Sequence, residues 1–326
     1  MAELKGYCQT LPNPRILINT IILQESKDSS AIENIVTTQD ELYRAVMSPE
    51  DGAHINSSTK EVLMYKEALY AGLDLLKKRG LTTNTLVSIM QKLKNTTAGI
   101  RQGIGTRLAN PITKEIIYTP PEGEVLLREK LTALEKFIHN ETDGIDPLIK
   151  LALMHYQFEA IHPFADGNGR TGRIMNILYL VHLDLLPLPV LYLSSFIIQH
   201  KNEYYRLLRE VTEKETWNEW ILYMLKAIAE TAALSLKKIK EIQQLKEETI
   251  IKAKEILKAS YSRDLVDLLF CHPYVKIKTL EQNNIGHRQT ASTYLQKLAK
   301  GGILNPLKIG KEMYYINHAL MHIISD

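Results

Sequence analysis

The chain has 326 residues, 45% of them apolar and 24% charged, with a net charge of only +3. That length allows two or three domains with real cores, the composition is that of an ordinary globular protein, and the mild charge alone says nothing about nucleic acid. Cys8 and Cys271 offer neither a disulfide framework nor a metal spacing, and no apolar run approaches the roughly 18 residues of a membrane helix.

Pro12 and Pro14 interrupt any signal-peptide pattern, so a soluble cytoplasmic protein is expected, with residues 1–20 as an extended arm. A helix is predicted over roughly Pro14 to Gln24. Ser29-Ser30-Ala31-Ile32-Glu33-Asn34 then reads as a helix start, with Ser29 or Ser30 as N-cap and Glu33 completing a capping box. Gly52 to Ser57 is a loop. Ser58-x-x-Glu61 is a second capping box, opening a helix that closes on Lys77-Lys78-Arg79-Gly80, and Thr83 to Leu93 is a further helix. These segments carry no chemistry in the sequence and read as scaffold.

From Gly99 to Pro121 the pattern changes. Ile104 to Leu108 and Glu115 to Thr119 read as short strands around a turn at Ala109-Asn110-Pro111. A lone hairpin in a helical protein leaves at least one sheet edge free. Glu122 to His139 is an amphipathic helix. Asp146-Pro147 then supplies an N-cap and an N1 proline for a helix reaching Ile161 or His162, apolar nearly all round and therefore buried. Pro163 stops it, and a second apolar segment runs from Ile174 to Leu183.

The loop between them, His162-Pro-Phe-Ala-Asp-Gly-Asn-Gly-Arg-Thr-Gly-Arg173, holds a histidine, a carboxylate, three glycines and two arginines. Gly167 and Gly169 let backbone N–H groups turn inward at the positive end of the second helix, which makes an anion site. Arg170 and Arg173 add guanidinium forks for a polyphosphate. Asp166 is placed to hold a Mg²⁺ bridging phosphate oxygens, and His162 to take a proton from an incoming hydroxyl. Two other readings compete. Gly167-x-Gly169-x-x-Gly172 fits a dinucleotide fingerprint, but that needs a preceding strand where a helix is predicted. His155, Glu159 and His162 could form a metal face with Asp166, against the positive charge of the arginines.

Beyond the loop, Pro187-Leu-Pro189 marks a turn and Tyr192 to Gln199 a buried segment. Lys201 opens a helix on which at most one of Tyr204 and Tyr205 faces a pocket. Trp217 and Trp220 read as core. Residues 231–260 read as a solvated connector helix, because lysines and glutamates alternate along them. Helices over 263–270, 278–282 and 288–300, then strands at 303–304 and 313–316 around Ile309-Gly310-Lys311, have the order of a winged helix. His287, Arg288, Gln289 and Thr290 begin its would-be recognition helix, with Thr293 and Gln296 further along.

Residues 162–173 resemble the signature of the Fic family, His-Pro-Phe-x-Asp/Glu-Gly-Asn-Gly-Arg-x-x-Arg, with every specified position filled. The resemblance implies a mainly α-helical bundle with a small β-hairpin flap and transfer of AMP from ATP–Mg²⁺ to a Ser, Thr or Tyr hydroxyl of a protein, itself included. It makes His162 the general base and Asp166 the Mg²⁺ ligand. Gly167, Asn168, Gly169, Arg170, Thr171, Gly172 and Arg173 become nucleotide-binding residues, the first four at the α- and β-phosphates and Arg173 at the γ-phosphate. Residues 29–34 are similar to the family's inhibitory motif, Ser/Thr-x-x-x-Glu-Gly/Asn, in which Ser29 and Glu33 engage Arg173. The hairpin becomes a flap whose Ile117 and Tyr118 dock the target by strand addition. Tyr205 becomes the residue stacked on adenine, while Thr212 stands where some relatives carry an adenine-contacting asparagine.

The expected division is an N-terminal helical region over 1–95, a catalytic core over 96–232, a connector over 233–260 and a winged helix over 261–326. A second copy of the chain is a candidate partner, and DNA is the less favoured partner of the winged helix. Two rival functions accompany the reading: removal of AMP from the same target, with Glu33 activating a water, and a DNA-binding regulator that senses nucleotide.

Overall fold

The computed structural model describes residues 1–10, 15–47, 55–109, 116–309 and 312–325. Expectations that rest on Pro12, Pro14, Gly52, Asn110, Pro111, Glu115, Gly310 and Lys311 lie outside them. The chain folds as a mainly helical bundle with a small antiparallel hairpin, followed by a helix-and-strand extension of winged-helix type.

The first residues are helical, α1 (Ala2–Gln9), where an extended arm was expected. The prolines lie beyond the end of α1, and Leu4 and Cys8, one turn apart, are both buried. Next, α2 (Arg15–Ile32) runs straight through Ser29 and Ser30, which are buried in its last turn and cap nothing. Glu33 follows directly, its N–H on the Ser30 carbonyl at 3.0 Å. The chain continues through α3 (Gln39–Met47), α4 (Ser57–Arg79) and α5 (Thr83–Lys94). Asn56, not Ser58, caps α4: its side chain accepts the Thr59 N–H at 2.7 Å. That leaves Glu61 free of the capping role and turned toward another helix.

Among the described residues the hairpin comprises β1 (Leu108–Ala109) and β2 (Ile116–Tyr118), with Leu108 opposite Tyr118, while 104–107 and Thr119, expected as strand, are not. Ile104 is 82% exposed and pairs with no strand among the described residues. After α6 (Glu124–Ile138), the central pair α7 (Pro147–Ile161) and α8 (Asn168–His182) fills the core. Asp146 caps α7 through the Leu148 N–H at 2.8 Å. Next come α9 (Leu193–Gln199), α10 (Lys201–Lys214) and the 41-residue α11 (Trp217–Leu257).

The expected solvated connector is the second half of α11, and it is packed. Ile239, Ile242, Ile250, Ala253 and Leu257 are buried on one face. Two of its lysines are buried as well and find partners on neighbouring elements: Lys238 donates to the Ile324 carbonyl at 2.9 Å and Lys246 pairs with Asp267 at 2.7 Å. Trp220 is core, its indole N–H on the Ala152 carbonyl at 2.8 Å. Trp217 is not. It lies on the surface with its ring edge-on to Tyr156.

The C-terminal unit is α12 (Arg263–Cys271), β3 (Tyr274–Val275), α13 (Ile277–Gln282), α14 (Arg288–Lys300), β4 (Asn305–Ile309), β5 (Glu312–Ile316) and α15 (His318–Ser325). The strands form an antiparallel sheet in the order β3-β5-β4, so β3 joins a wing that the sequence showed as two strands. Ala291, Leu295 and Leu298 of α14 face inward as expected. Among the described residues no helix is long and apolar enough to cross a membrane.

Candidate active site

Pro163 ends α7 by force, and His162 takes the left-handed conformation at φ 48°. The Asn168 side chain then staples the loop. Its oxygen accepts the Phe164 N–H at 2.9 Å and its amide donates to the Phe164 carbonyl at 2.8 Å. Gly167 follows at φ 83°, a conformation that favours glycine, and α8 begins. The loop thus closes over the N-terminus of a buried helix, whose first N–H groups have no helical acceptor. Because the Asn168 side chain is taken up by the staple, only its backbone faces the nest.

Arg101 locks this loop from outside. Its Nε donates to the His162 carbonyl at 2.8 Å, and its backbone N–H to the Pro163 carbonyl at 2.9 Å. Burial, reinforced by the Arg101 charge, pushes the His162 imidazole down to about 4. The ring is therefore neutral at pH 7 and able to accept a proton.

Asp166 divides its two oxygens. Oδ1 accepts the Gly167 N–H at 2.6 Å, and Oδ2 lies 2.7 Å from the Lys94 ammonium. Burial raises this carboxyl, but Lys94, Arg170 and the Gly167 N–H outweigh it and hold the group below its ordinary value. The described residues contain no cluster of three or more His, Cys, Asp or Glu that could hold a metal. A single, largely exposed hard oxygen suits a Mg²⁺ completed by phosphate and water. The alternative metal face does not form, because His155 is buried against Trp220 with Nε2 on the Tyr204 hydroxyl at 2.8 Å.

Both arginines are buried, and each meets a carboxylate from the N-terminal helices. Arg173 donates through Nη2 to Glu33 Oε1 at 2.9 Å and to the Ser29 carbonyl at 2.8 Å, and through Nε to Ser29 Oγ at 2.8 Å. Gly169 makes room for this: a Cβ there would lie 2.3 Å from Glu33 Oε1. Arg170 donates through Nη1 to Glu61 at 2.9 Å, and the same Glu61 oxygen is 3.1 Å from Lys94. Thr171 Oγ1 is buried and unpartnered among the described residues. Gly172 packs against Glu159, whose buried carboxyl is pushed up to about 7 by desolvation against the pull of Arg173.

Tyr205 lies at the rim, 43% exposed and edge-on to the buried Tyr204. Thr212 Oγ1 bonds the Tyr156 hydroxyl at 2.9 Å. In the hairpin, Ile117 faces outward, whereas the Tyr118 hydroxyl donates to the Ala160 carbonyl at 2.7 Å and ties the hairpin to the end of α7. Sequence reasoning missed Lys94 and Arg101, read Glu61 only as a capping residue and weighed Glu159 only as part of a metal face. Arg101 sits between two glycines, a local signal that could have been weighed. Glu61 and Lys94 carried no such signal, since their partners are far away in the chain.

Residues 80–180 match the Fic/DOC family model, residues 1–74 the Fic/DOC N-terminal model, and residues 245–320 the C-terminal domain of SoFic-like protein adenylyltransferases. A probable protein adenylyltransferase of Aquifex aeolicus is 27% identical over 192 residues, 58% of this chain and 55% of that protein. The Caenorhabditis elegans protein adenylyltransferase fic-1 is 37% identical over 76 residues, 22% of this chain and 15% of that protein. The chain thus spans about half of the bacterial relative and a small part of the nematode one. Among solved structures, a Fic family protein from Desulfovibrio desulfuricans G20 shares the fold over 97% of this chain and 93% of its own, with a TM-score of 0.58 at 18% identity. Fic-1 from C. elegans shares it over 73% of this chain and 70% of its own, with a TM-score of 0.56 at 22% identity.

Proposed function

We propose that this chain, which carries a Fic/DOC family domain, is a protein adenylyltransferase that moves AMP from ATP to a Ser, Thr or Tyr hydroxyl of a protein, itself included, and that Glu33 restrains it. The observation that carries the reading is His162 held beside a helix-terminal anion nest and two buried arginines. The backbone N–H groups at the start of α8 and the Arg170 and Arg173 guanidinium groups bind the polyphosphate and steady its charge. His162 takes the proton from the acceptor hydroxyl, whose oxygen bonds to the α-phosphorus as the bond to the β-phosphate oxygen breaks and pyrophosphate leaves. Asp166 would hold Mg²⁺, which supplies neutralisation of phosphate charge. The free outer edge of the hairpin, with Ile117 outward and Tyr118 as its anchor, receives the target segment, and Tyr205 stacks on the base.

Glu33 acts by competition. Ser29 and Glu33 together engage both Nε and Nη2 of Arg173, so these donors are withdrawn from a γ-phosphate. Incubation with α-labelled ATP tests the function. Label appearing on protein, with a mass increase of one AMP, supports transfer. Label lost from a modified target supports the reverse reaction. Retention on DNA with neither outcome supports a nucleotide-sensing regulator.

A further inference from the structure

We propose that Lys94 is a built-in stand-in for the divalent cation: its ammonium holds the Asp166 carboxylate while no metal is bound, and Glu61 keeps it when the metal arrives. The inference rests on the reading of Asp166 as the cation ligand, and adds residues on two other helices to it.

The geometry is specific about which oxygen is contested. Asp166 Oδ1 is engaged by the Gly167 N–H, which leaves Oδ2 as the oxygen open to a cation, and Oδ2 is the one that Lys94 holds at 2.7 Å. Two positive charges repel at one carboxylate oxygen, so a metal ion must move the ammonium aside. Lys94 has somewhere to go, since its nitrogen already lies 3.1 Å from Glu61 Oε2.

The backbone makes this an aimed contact and not a chance surface pair. Lys94 ends α5, and its stem lies over the bend of the loop: a Cβ on Gly167 would sit 3.3 Å from Lys94 Cγ and 3.5 Å from Cδ. The stem is thus packed against the nest while the ammonium bridges two carboxylates, Asp166 and Glu61. The Lys94 and Glu61 side chains are 23% and 35% exposed, and Asp166, at 66%, is open to an ion arriving from water. Glu61 also binds Arg170 through the same oxygen, so the device sits next to the polyphosphate cradle and not apart from it.

The test is Mn²⁺ binding to the full chain, read by the loss of its free-ion electron paramagnetic resonance signal, with the Mn²⁺ taken up by α,β-methylene-ATP alone measured without protein and subtracted. Lys94→Met keeps the stem over Gly167 and removes the competing charge. It is expected to tighten Mn²⁺ binding by roughly threefold to tenfold at low salt, with the gain shrinking as salt is added. Glu61→Gln takes away the second seat and is expected to weaken binding. A Lys94→Met protein with a wild-type melting temperature and unchanged or weaker Mn²⁺ binding overturns the inference. Asp166→Ala separates the two levels. If it abolishes Mn²⁺ binding while Lys94→Met changes nothing, the metal-ligand reading stands and the stand-in falls. If Asp166→Ala binds Mn²⁺ like wild type, both fall.

Discussion

Arg170 and Arg173 lie three residues apart on one helix, both buried, and each is met by a carboxylate at 2.9 Å. Their carboxylates differ in what carries them. Glu33 follows the last residue of α2, so a short rearrangement of a helix end can withdraw it. Glu61 sits in the second turn of the 23-residue α4, which packs so closely on α8 that a Cβ on Gly72 would lie 2.8 Å from Leu178. Withdrawing Glu61 means moving a helix. Two ion pairs with the same length therefore support different roles, one as a removable restraint and the other as fixed orientation of a guanidinium fork, and the difference lies in the backbone behind the carboxylate.

The comparison has meaning only if both arginines serve one reaction centre, and His162→Ala tests that first. Its expected loss of labelling from α-labelled ATP is at least about 10²-fold, with ATP affinity kept within a few-fold, because the imidazole meets the acceptor and not the nucleotide. Near-normal labelling dissolves the shared centre.

The pH profile sharpens the same point, because the guanidinium groups stay charged throughout and His162 is the group that must be unprotonated to act as base. Protonated His162 cannot accept a proton, so the rate should fall as pH drops through about 4 and stay level above it. An ordinary histidine would lose activity below about 6.5. A midpoint near that value in the pH dependence of kcat/KM would show that burial does not set the base.

Tyr118→Phe lies outside the comparison and serves as its control. It removes the hydroxyl bonded to Ala160 and should cost about 1 kcal/mol, seen as a roughly fivefold rise in KM for a protein acceptor with kcat retained. A fall in kcat of similar size would mean that the hairpin anchor shapes the cradle itself.

Much of the site was legible in the sequence because it is contiguous. The residues from His162 to Arg173 occupy one loop, and the Asp146-Pro147 cap and the Pro163 stop follow from local rules. The winged-helix order was readable for the same reason, from the inward pattern of Ala291, Leu295 and Leu298. What failed was tertiary. Leu4 and Cys8 make a helix where the prolines suggested an arm, because the prolines fall beyond it. Ser29 and Ser30 have the composition of a cap, but their place in the buried last turn of α2 is decided by packing. The charge run of α11 hides its apolar stripe, since Ile239, Ile242 and Ile250 are spaced among lysines and glutamates. Glu61 stands 109 residues before Arg170, so no local pattern could join them.

The most direct test of the account is the initial rate of auto-labelling from α-labelled ATP in Glu33→Gly, with Glu61→Gln and the double variant Glu33→Gly/Arg173→Ala assayed beside it. Freeing Arg173 should raise the rate by roughly tenfold or more, equivalent to about 1.4 kcal/mol of relieved competition. Glu61→Gln should give no rise, and the double variant should lose the gain. If Glu33→Gly is no faster than wild type, or if Glu61→Gln rises with it, Glu33 is not a removable restraint on Arg173 and the distinction between the two arginines is contradicted.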